Sequence, residues 1–193
     1  MRKASLSRRF LIAGLACAAL MSSCTSPPSR RFLLAPRGVG AATAPSFAGR
    51  VAIAGVGVAK YLDQPEIVRH GSGYELAVAE FEVWGEGMAD MVGRVLAEDL
   101  TARLPGGAVF VGDGAATVPA DASLELYIDR FDADPDGMVV LNARWTIRRG
   151  SGAPRLGTER IAARPASPNT PDLVAAMSDA LATLADRLAA QLA

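Results

Sequence analysis

The sequence predicts an α+β domain of two layers, a mostly antiparallel sheet with two amphipathic helices on one face. Three observations predict it. Residues 88–100 and 173–192 each set their large apolar side chains on one helical stripe. Residues 124–128 and 139–147 alternate apolar and polar, as strands buried on one side do. The order along the chain is strands, helix, strands, helix, and two one-sided helices suit one face of a sheet.

Each element follows from its residues. Phe32-Leu33-Leu34 reads as a short edge strand, because three large apolar residues in a row are rarely left in water. Val51, Ile53, Val56 and Val58 alternate with small residues in a buried strand, with a bulge expected at a glycine. Pro65 excludes a central strand across Tyr61–Val68. Tyr74–Val78 is a further strand, and Glu82–Glu86 leads into the first helix, residues 87–103. Its stripe is Met88, Met91, Val92, Val95, Leu96 and Leu100, with Glu86, Asp90, Arg94, Glu98 and Asp99 largely off it. Pro105-Gly106-Gly107 stops it.

A short strand at Val109–Val111 follows, then a strand at 124–128, a turn at Asp132–Gly137 and a strand at 139–148. Gly150-Ser151-Gly152 turns the chain into a third strand near Leu156–Ala163. Thr170 caps the last helix, with Pro171 at its first position. Leu173, Val174, Met177, Leu181, Leu184, Leu188 and Leu192 form its apolar face.

The N-terminus carries an address. Arg2, Lys3, Arg8 and Arg9 precede an uncharged run, Phe10–Met21, and small residues follow. This is the grammar of a secretory signal. As a helix the run is about 18 Å long, too short for a hydrocarbon core of ~30 Å. Residues 1–23 are therefore expected to be removed. Met21-Ser22-Ser23-Cys24 resembles a bacterial lipobox, in which the cysteine becomes the acylated first residue of the mature chain. The plainer alternative is an ordinary cleaved signal with Cys24 incidental. Ser7–Ile12 also resembles a twin-arginine export motif. Thr25 follows the cysteine where an Asp would resemble an inner-membrane retention signal, which points to the outer membrane.

Residues 24–49 read as the lipidated cysteine and a flexible tether rich in Pro, Gly, Ser and Ala, with a root-mean-square span of roughly 25–30 Å. Residues 50–193 read as one domain, large enough to fold on its own core. Removing four basic residues with the signal leaves 16 Lys+Arg against 20 Asp+Glu, a formal charge of −4. That balance gives no electrostatic reason to bind nucleic acid. Of the two cysteines only Cys24 would remain, so no intrachain disulfide is expected.

Motifs for chemistry fail on inspection. Asp132-x-Asp134-x-Asp136-Gly137 copies the start of a calcium loop, but Ala143 stands where the bidentate Glu belongs. A Pro-Asp-Gly turn accounts for those residues. Gly55-Val56-Gly57 lacks the third glycine of a dinucleotide loop. His70 is the only histidine and reads as a solvated loop residue. Glu80 and Glu82 read as exposed charges. No catalytic residue, metal site or cofactor is expected.

Three segments together resemble the ABC-type transport auxiliary lipoproteins, the PqiC-like family. One is Tyr61-Leu62-Asp63-Gln64-Pro65-Glu66-Ile67-Val68 after the first long strand. The second is Tyr74–Glu86 running into a helix with Arg94-Val95-Leu96. The third is the C-terminal strand meander and Ala-rich helix. Trp84-Gly85-Glu86-Gly87-Met88 departs from the family's usual Trp-Ala-Glu-Pro-Leu but keeps Trp and Glu. The resemblance implies a non-enzymatic lipoprotein on the periplasmic face of the outer membrane, anchored through Cys24. It implies an inner-membrane ABC permease/ATPase complex and an MCE-domain protein as partners, and lipids or hydrophobic molecules as cargo. It also implies a role in envelope integrity and allows a homo-oligomer.

Under that resemblance Tyr61, Leu62, Pro65, Glu66, Ile67 and Trp84 are candidates for a partner or subunit surface. The competing reading is local packing at the sheet edge, since aromatics serve cores and interfaces alike. A different function, a structural lipoprotein that binds peptidoglycan or assists outer-membrane protein assembly, fits the same address.

Overall fold

One long strand organises the sheet. The computed structural model describes residues 28–38, 47, 49–104, 106–112 and 119–193. Its strands are β1 (Arg30–Phe32), β2 (Arg50–Val58), β3 (Glu66–His70), β4 (Leu76–Trp84), β5 (Ala108–Val111), β6 (Ala122–Ala133), β7 (Val139–Arg149) and β8 (Arg155–Ala163). Its helices are α1 (Met88–Arg103) and α2 (Thr170–Leu192), and a 3-10 turn at Lys60–Leu62 separates β2 from β3.

On one edge, β6 pairs antiparallel with β7 along its whole length, and β7 pairs antiparallel with β8. On the other edge β6 carries two parallel strands laid end to end. β2 runs along Ala122–Ile128, and β3 meets it at Ala133. β5 extends β2 in parallel. β4 extends β3 antiparallel, and β1 adds to β4 in parallel.

The expected two-layer α+β architecture is present, with more parallel pairing than the alternation alone implied. Alternation reports which face is buried and carries no strand direction. Between β2 and β6 the chain passes through α1, a crossover of the kind parallel neighbours require.

α1 packs on β2 and β5, α2 packs on β6, β7 and β8, and the helices pack on each other. Every residue of the two expected apolar stripes is buried. Full burial of one such side chain contributes about 1.5–3 kcal/mol, so the seven on α2 are a major share of the core. The N-cap of α2 is Asn169 and not Thr170. The Asn169 Oδ1 accepts from the Asp172 N–H at 2.8 Å. Thr170 is already helical, and its hydroxyl is committed to Arg69 and Glu82.

Several strand boundaries move. β3 begins immediately after Pro65 and lies inside the sheet, because a proline is tolerated at the step where the chain re-enters a ladder. β4 reaches Trp84, so Glu82 belongs to a strand. The register of β2 shifts between Ile53 and Gly55, near the expected glycine bulge. A second irregularity falls between Ile128 and Arg130. It switches the core-facing positions of β6 from Leu124, Leu126 and Ile128 to Phe131 and Ala133. The expected turn at Asp132–Gly137 begins later. Asp132 is still in β6, while the Asp134 carboxylate accepts from the backbone N–H of Asp136 and Met138.

The first strand is Arg30–Phe32 instead of 32–34. Leu34 lies in the core, and Leu33 is exposed.

Gly157 of β8 sits opposite Trp145 of β7. A Cβ on Gly157 would lie 2.2 Å from the Trp145 ring. Gly157→Ala should therefore cost about 1–3 kcal/mol by overpacking. Urea unfolding of the two proteins checks this.

Candidate functional site

The residues between β2 and β3 leave the sheet as an excursion and return to the same edge of β6. Ala59 N–H still donates to the Ile128 carbonyl at 2.9 Å, and Trp84 N–H donates to the Pro65 carbonyl at 2.7 Å. Between these two points lies Lys60–Gln64. A single buried carboxylate fastens it. Asp132 is fully buried, with Tyr61 Oη donating to its Oδ2 at 2.6 Å. Its Oδ1 takes His70 Nδ1 at 2.8 Å and Arg130 Nε at 2.9 Å. The Tyr61 and His70 rings meet edge to face at 6.0 Å.

His70 is therefore the end of a strand and half-buried, in place of the solvated loop residue expected from its isolation in the sequence. Burial, then the hydrogen bond to Asp132 and that residue's charge, push the Tyr61 phenol well above its usual range. Each acceptor oxygen of Asp132 is occupied by a donor, so the cluster is built to hold strands together.

A second network seats the segment after β1 in the helix layer. Leu34 N–H points at Met91 Sδ (3.2 Å), and Ala35 N–H donates to Ser178 Oγ (3.2 Å). Arg37 N–H donates to Asp99 Oδ1 at 2.8 Å. The Arg37 guanidinium donates to the Ala175 carbonyl and approaches Asp179 to 2.8 Å as an ion pair.

Arg103 completes the clamp. It donates to the Arg37 and Asp99 carbonyls and pairs with Asp99 and Asp186. Asp99, expected off the apolar stripe, is buried. Burial raises its pKa, opposed first by the Arg37 backbone N–H and then by Arg103. Residues 34–37 are thus part of the folded layer and not free tether. Nearby, Arg30 pairs with Glu82, Glu82 accepts from the Thr170 hydroxyl, and Arg69 donates to Thr170 at 2.7 Å.

The structure divides the six candidate surface residues. Leu62, Ile67 and Trp84 are buried, Tyr61 and Glu66 are half-buried, and Pro65 is exposed. Around Pro65 a shallow groove of about 330 Å³ runs between Asp63–Pro65 and Trp84–Met88. Cys24 and the whole export signal lie outside the described residues. Sequence reasoning missed Asp132, His70, Asp99 and Arg103 as organising groups. The apolar Phe131 beside Asp132 is the signal that the strand continues through the first acid of the turn.

The sheet face away from the helices is open. A trough of about 830 Å³ crosses β2, β6, β7 and β8, edged by Tyr127, Arg144 and Leu156. Arg144 lies 4.6 Å over the Tyr127 ring and pairs with Asp129. Among the described residues no group of three His, Cys, Asp or Glu is placed to hold a metal, and no helix is long and apolar enough to cross a membrane.

The sequence profile of the ABC-type transport auxiliary lipoprotein component matches residues 32–189. The chain belongs to this family. The matched region begins inside β1 and ends in the last turn of α2, so it takes in both helices and the clamped segment. No curated protein sequence matches the chain.

Among solved structures, an uncharacterized protein superposes with a TM-score of 0.73 at 17% identity, over 86% of this chain and 100% of the other. Protein XCC0632 from Xanthomonas campestris superposes with a TM-score of 0.66 at 18% identity, over 84% and 94%. Both show the same fold. A PelC dodecamer from Paraburkholderia phytofirmans gives a TM-score of 0.48 at 15% identity, over 77% and 96%. The family's description, an auxiliary component of ABC-type transport, rests on the sequence profile.

Two outcomes test the Asp132 cluster. Asp132→Ala should cost about 3 kcal/mol, the low end for a broken buried pair, because Arg130 and His70 each reach water. Chemical denaturation measures it. The raised Tyr61 pKa also sets a sign. The folded phenol keeps its proton where the unfolded one loses it, so this contribution is intact below about pH 10 and declines above it. Tyr61→Phe should flatten that alkaline decline in a stability–pH series.

Proposed function

We propose that this protein is a lipid-anchored, periplasm-facing auxiliary component of an ABC/MCE-type transport system. Acyl chains on Cys24 hold it to the outer membrane. Its partners are an inner-membrane ABC permease/ATPase complex and an MCE-domain protein, and the cargo is lipid or another hydrophobic molecule. The domain performs no reaction of its own. It contributes position and contacts to the transport path and so supports envelope integrity.

The observation that supports the reading is the short sequence distance between the lipobox-like Met21–Cys24 and the family domain. Cys24 stands six residues before Arg30, the first residue of β1. Six residues span at most about 20–22 Å. The seating of Leu34–Arg37 between the helices shortens the leash relative to a free segment reaching residue 49. On this reading the domain stays close under the membrane, and a partner must come to it.

The surface offered around the excursion is Pro65 with the half-buried Tyr61 and Glu66 and the groove beside Trp84. Leu62, Ile67 and Trp84 support that surface from beneath. A homo-oligomer is compatible with this arrangement, and the open sheet face leaves room for subunit contacts.

Cys24→Ala decides the anchor. The variant should leave the membrane fraction and accumulate either uncleaved or as soluble periplasmic protein. Cell fractionation with mass spectrometry of the mature N-terminus measures it, and an unchanged membrane fraction would refute the anchor.

A further inference from the structure

We infer that the tip of the β3–β4 hairpin is a second membrane contact, a patch that sits in the lipid headgroup region beside the acylated cysteine. The inference rests on the proposed anchoring through Cys24 and adds an orientation to it. Four observations meet at this tip.

The first is direction. β1 pairs with β4 in parallel, with Arg30 opposite Glu82. Moving towards the N-terminus from Arg30 therefore means moving along β4 towards Leu76 and the hairpin turn.

The second is length. From Glu82 to Leu76 is six residues of strand, about 20 Å at ~3.3 Å per residue. From Arg30 back to Cys24 is also six residues, at most about 20–22 Å. Along the line of β1 a connection of that length reaches no further than the level of Leu76. Tyr74 then stands at or beyond that level.

The third is the surface chemistry of the tip. Tyr74 is fully exposed, and Leu76 and Val78 are 40% and 50% exposed. Tyrosine suits the membrane–water interface, where its ring and hydroxyl meet different media. The tip is shaped by backbone and not by a packed core. Gly73 adopts φ +67°, and Gly71 N–H closes the turn on the Glu75 carbonyl at 2.9 Å.

The fourth is what leaves this edge uncovered. β1 covers only Glu82–Trp84 of β4, and among the described residues no strand pairs with the outer edge of Leu76–Phe81. Pro27 and Pro28 precede β1 and lack the N–H groups that would extend its ladder along β4.

Charge selects the kind of surface. This end of the sheet carries Arg69 and Arg164 but also Glu75 and the exposed Asp136. Mixed signs fit zwitterionic headgroups better than a strongly anionic surface. The opposite end of the sheet, at the β7–β8 turn around Ser151, has no such role and serves as the internal control.

The test uses the full lipidated protein. Tyr74→Cys and, separately, Val78→Cys and Ser151→Cys are labelled with a bimane dye. Once Cys24 is acylated the introduced thiol is the only free one, since Cys17 leaves with the signal. Each protein is reconstituted into phosphatidylethanolamine–phosphatidylcholine vesicles with and without headgroup-region nitroxide lipid. The labels at 74 and 78 should be quenched severalfold more than the label at 151.

Equal quenching at all three positions, in protein whose mass shows acylation at Cys24, would overturn the hairpin contact while leaving the anchor standing. A mass that shows no acylation overturns both. Equal lipid quenching, followed by shielding of position 74 from iodide only when a protein partner is added, also overturns the lipid contact and gives the edge to that partner.

Discussion

The arrangement depends on one edge of β6 serving two strands in line. β2 fills Ala122–Ile128 and β3 takes up the edge again at Ala133. Two strands cannot lie end to end on one ladder unless the chain between them leaves the sheet, and Lys60–Pro65 is that departure. The sheet is thereby split into two wings, β2 with β5 and β3 with β4 and β1, while β6, β7 and β8 form a continuous antiparallel base. Pro65 sits at the point of return, where a missing N–H costs nothing in the ladder.

Buried charge holds the pieces in register. Asp132 draws Tyr61 from the departing chain, His70 from the end of β3 and Arg130 from β6 itself. Asp99 and Arg103 do the corresponding task in the helix layer, taking the backbone of Arg37 between α1 and α2. A buried carboxylate is costly to desolvate and is tolerated only when its acceptors are filled. Each of these groups therefore specifies a single arrangement of segments that apolar contacts alone would leave free to slide.

The same geometry shapes the functional reading. Since β1 enters the fold so soon after Cys24 and the segment behind it is clamped, the domain of this transport auxiliary family member is proposed to hang from a short connection. The excursion at 60–65 lies on the sheet's rim, with its apolar residues turned inward and Pro65 outward. Pro65 on the excursion and the hairpin tip are exposed, and they are the surfaces offered for the proposed contacts.

The residues by themselves determined what depends on local periodicity. Both helices, their buried stripes, the β6–β7 hairpin and the third strand beside it follow from spacings of 3.6 and 2, and the matching family was readable in Tyr61–Val68 and Trp84. Strand direction, the end-to-end sharing of β6 and the burial of Asp132 and Asp99 were decided only in three dimensions. An acidic residue looks the same in a turn and in a satisfied interior site, because its partners Tyr61, His70 and Arg37 lie more than sixty residues away in sequence. A short strand near Phe32 was legible, but the seating of residues 34–37 was likewise hidden. Their composition favours extended chain, and only the groove between two finished helices turns that chain into part of the core.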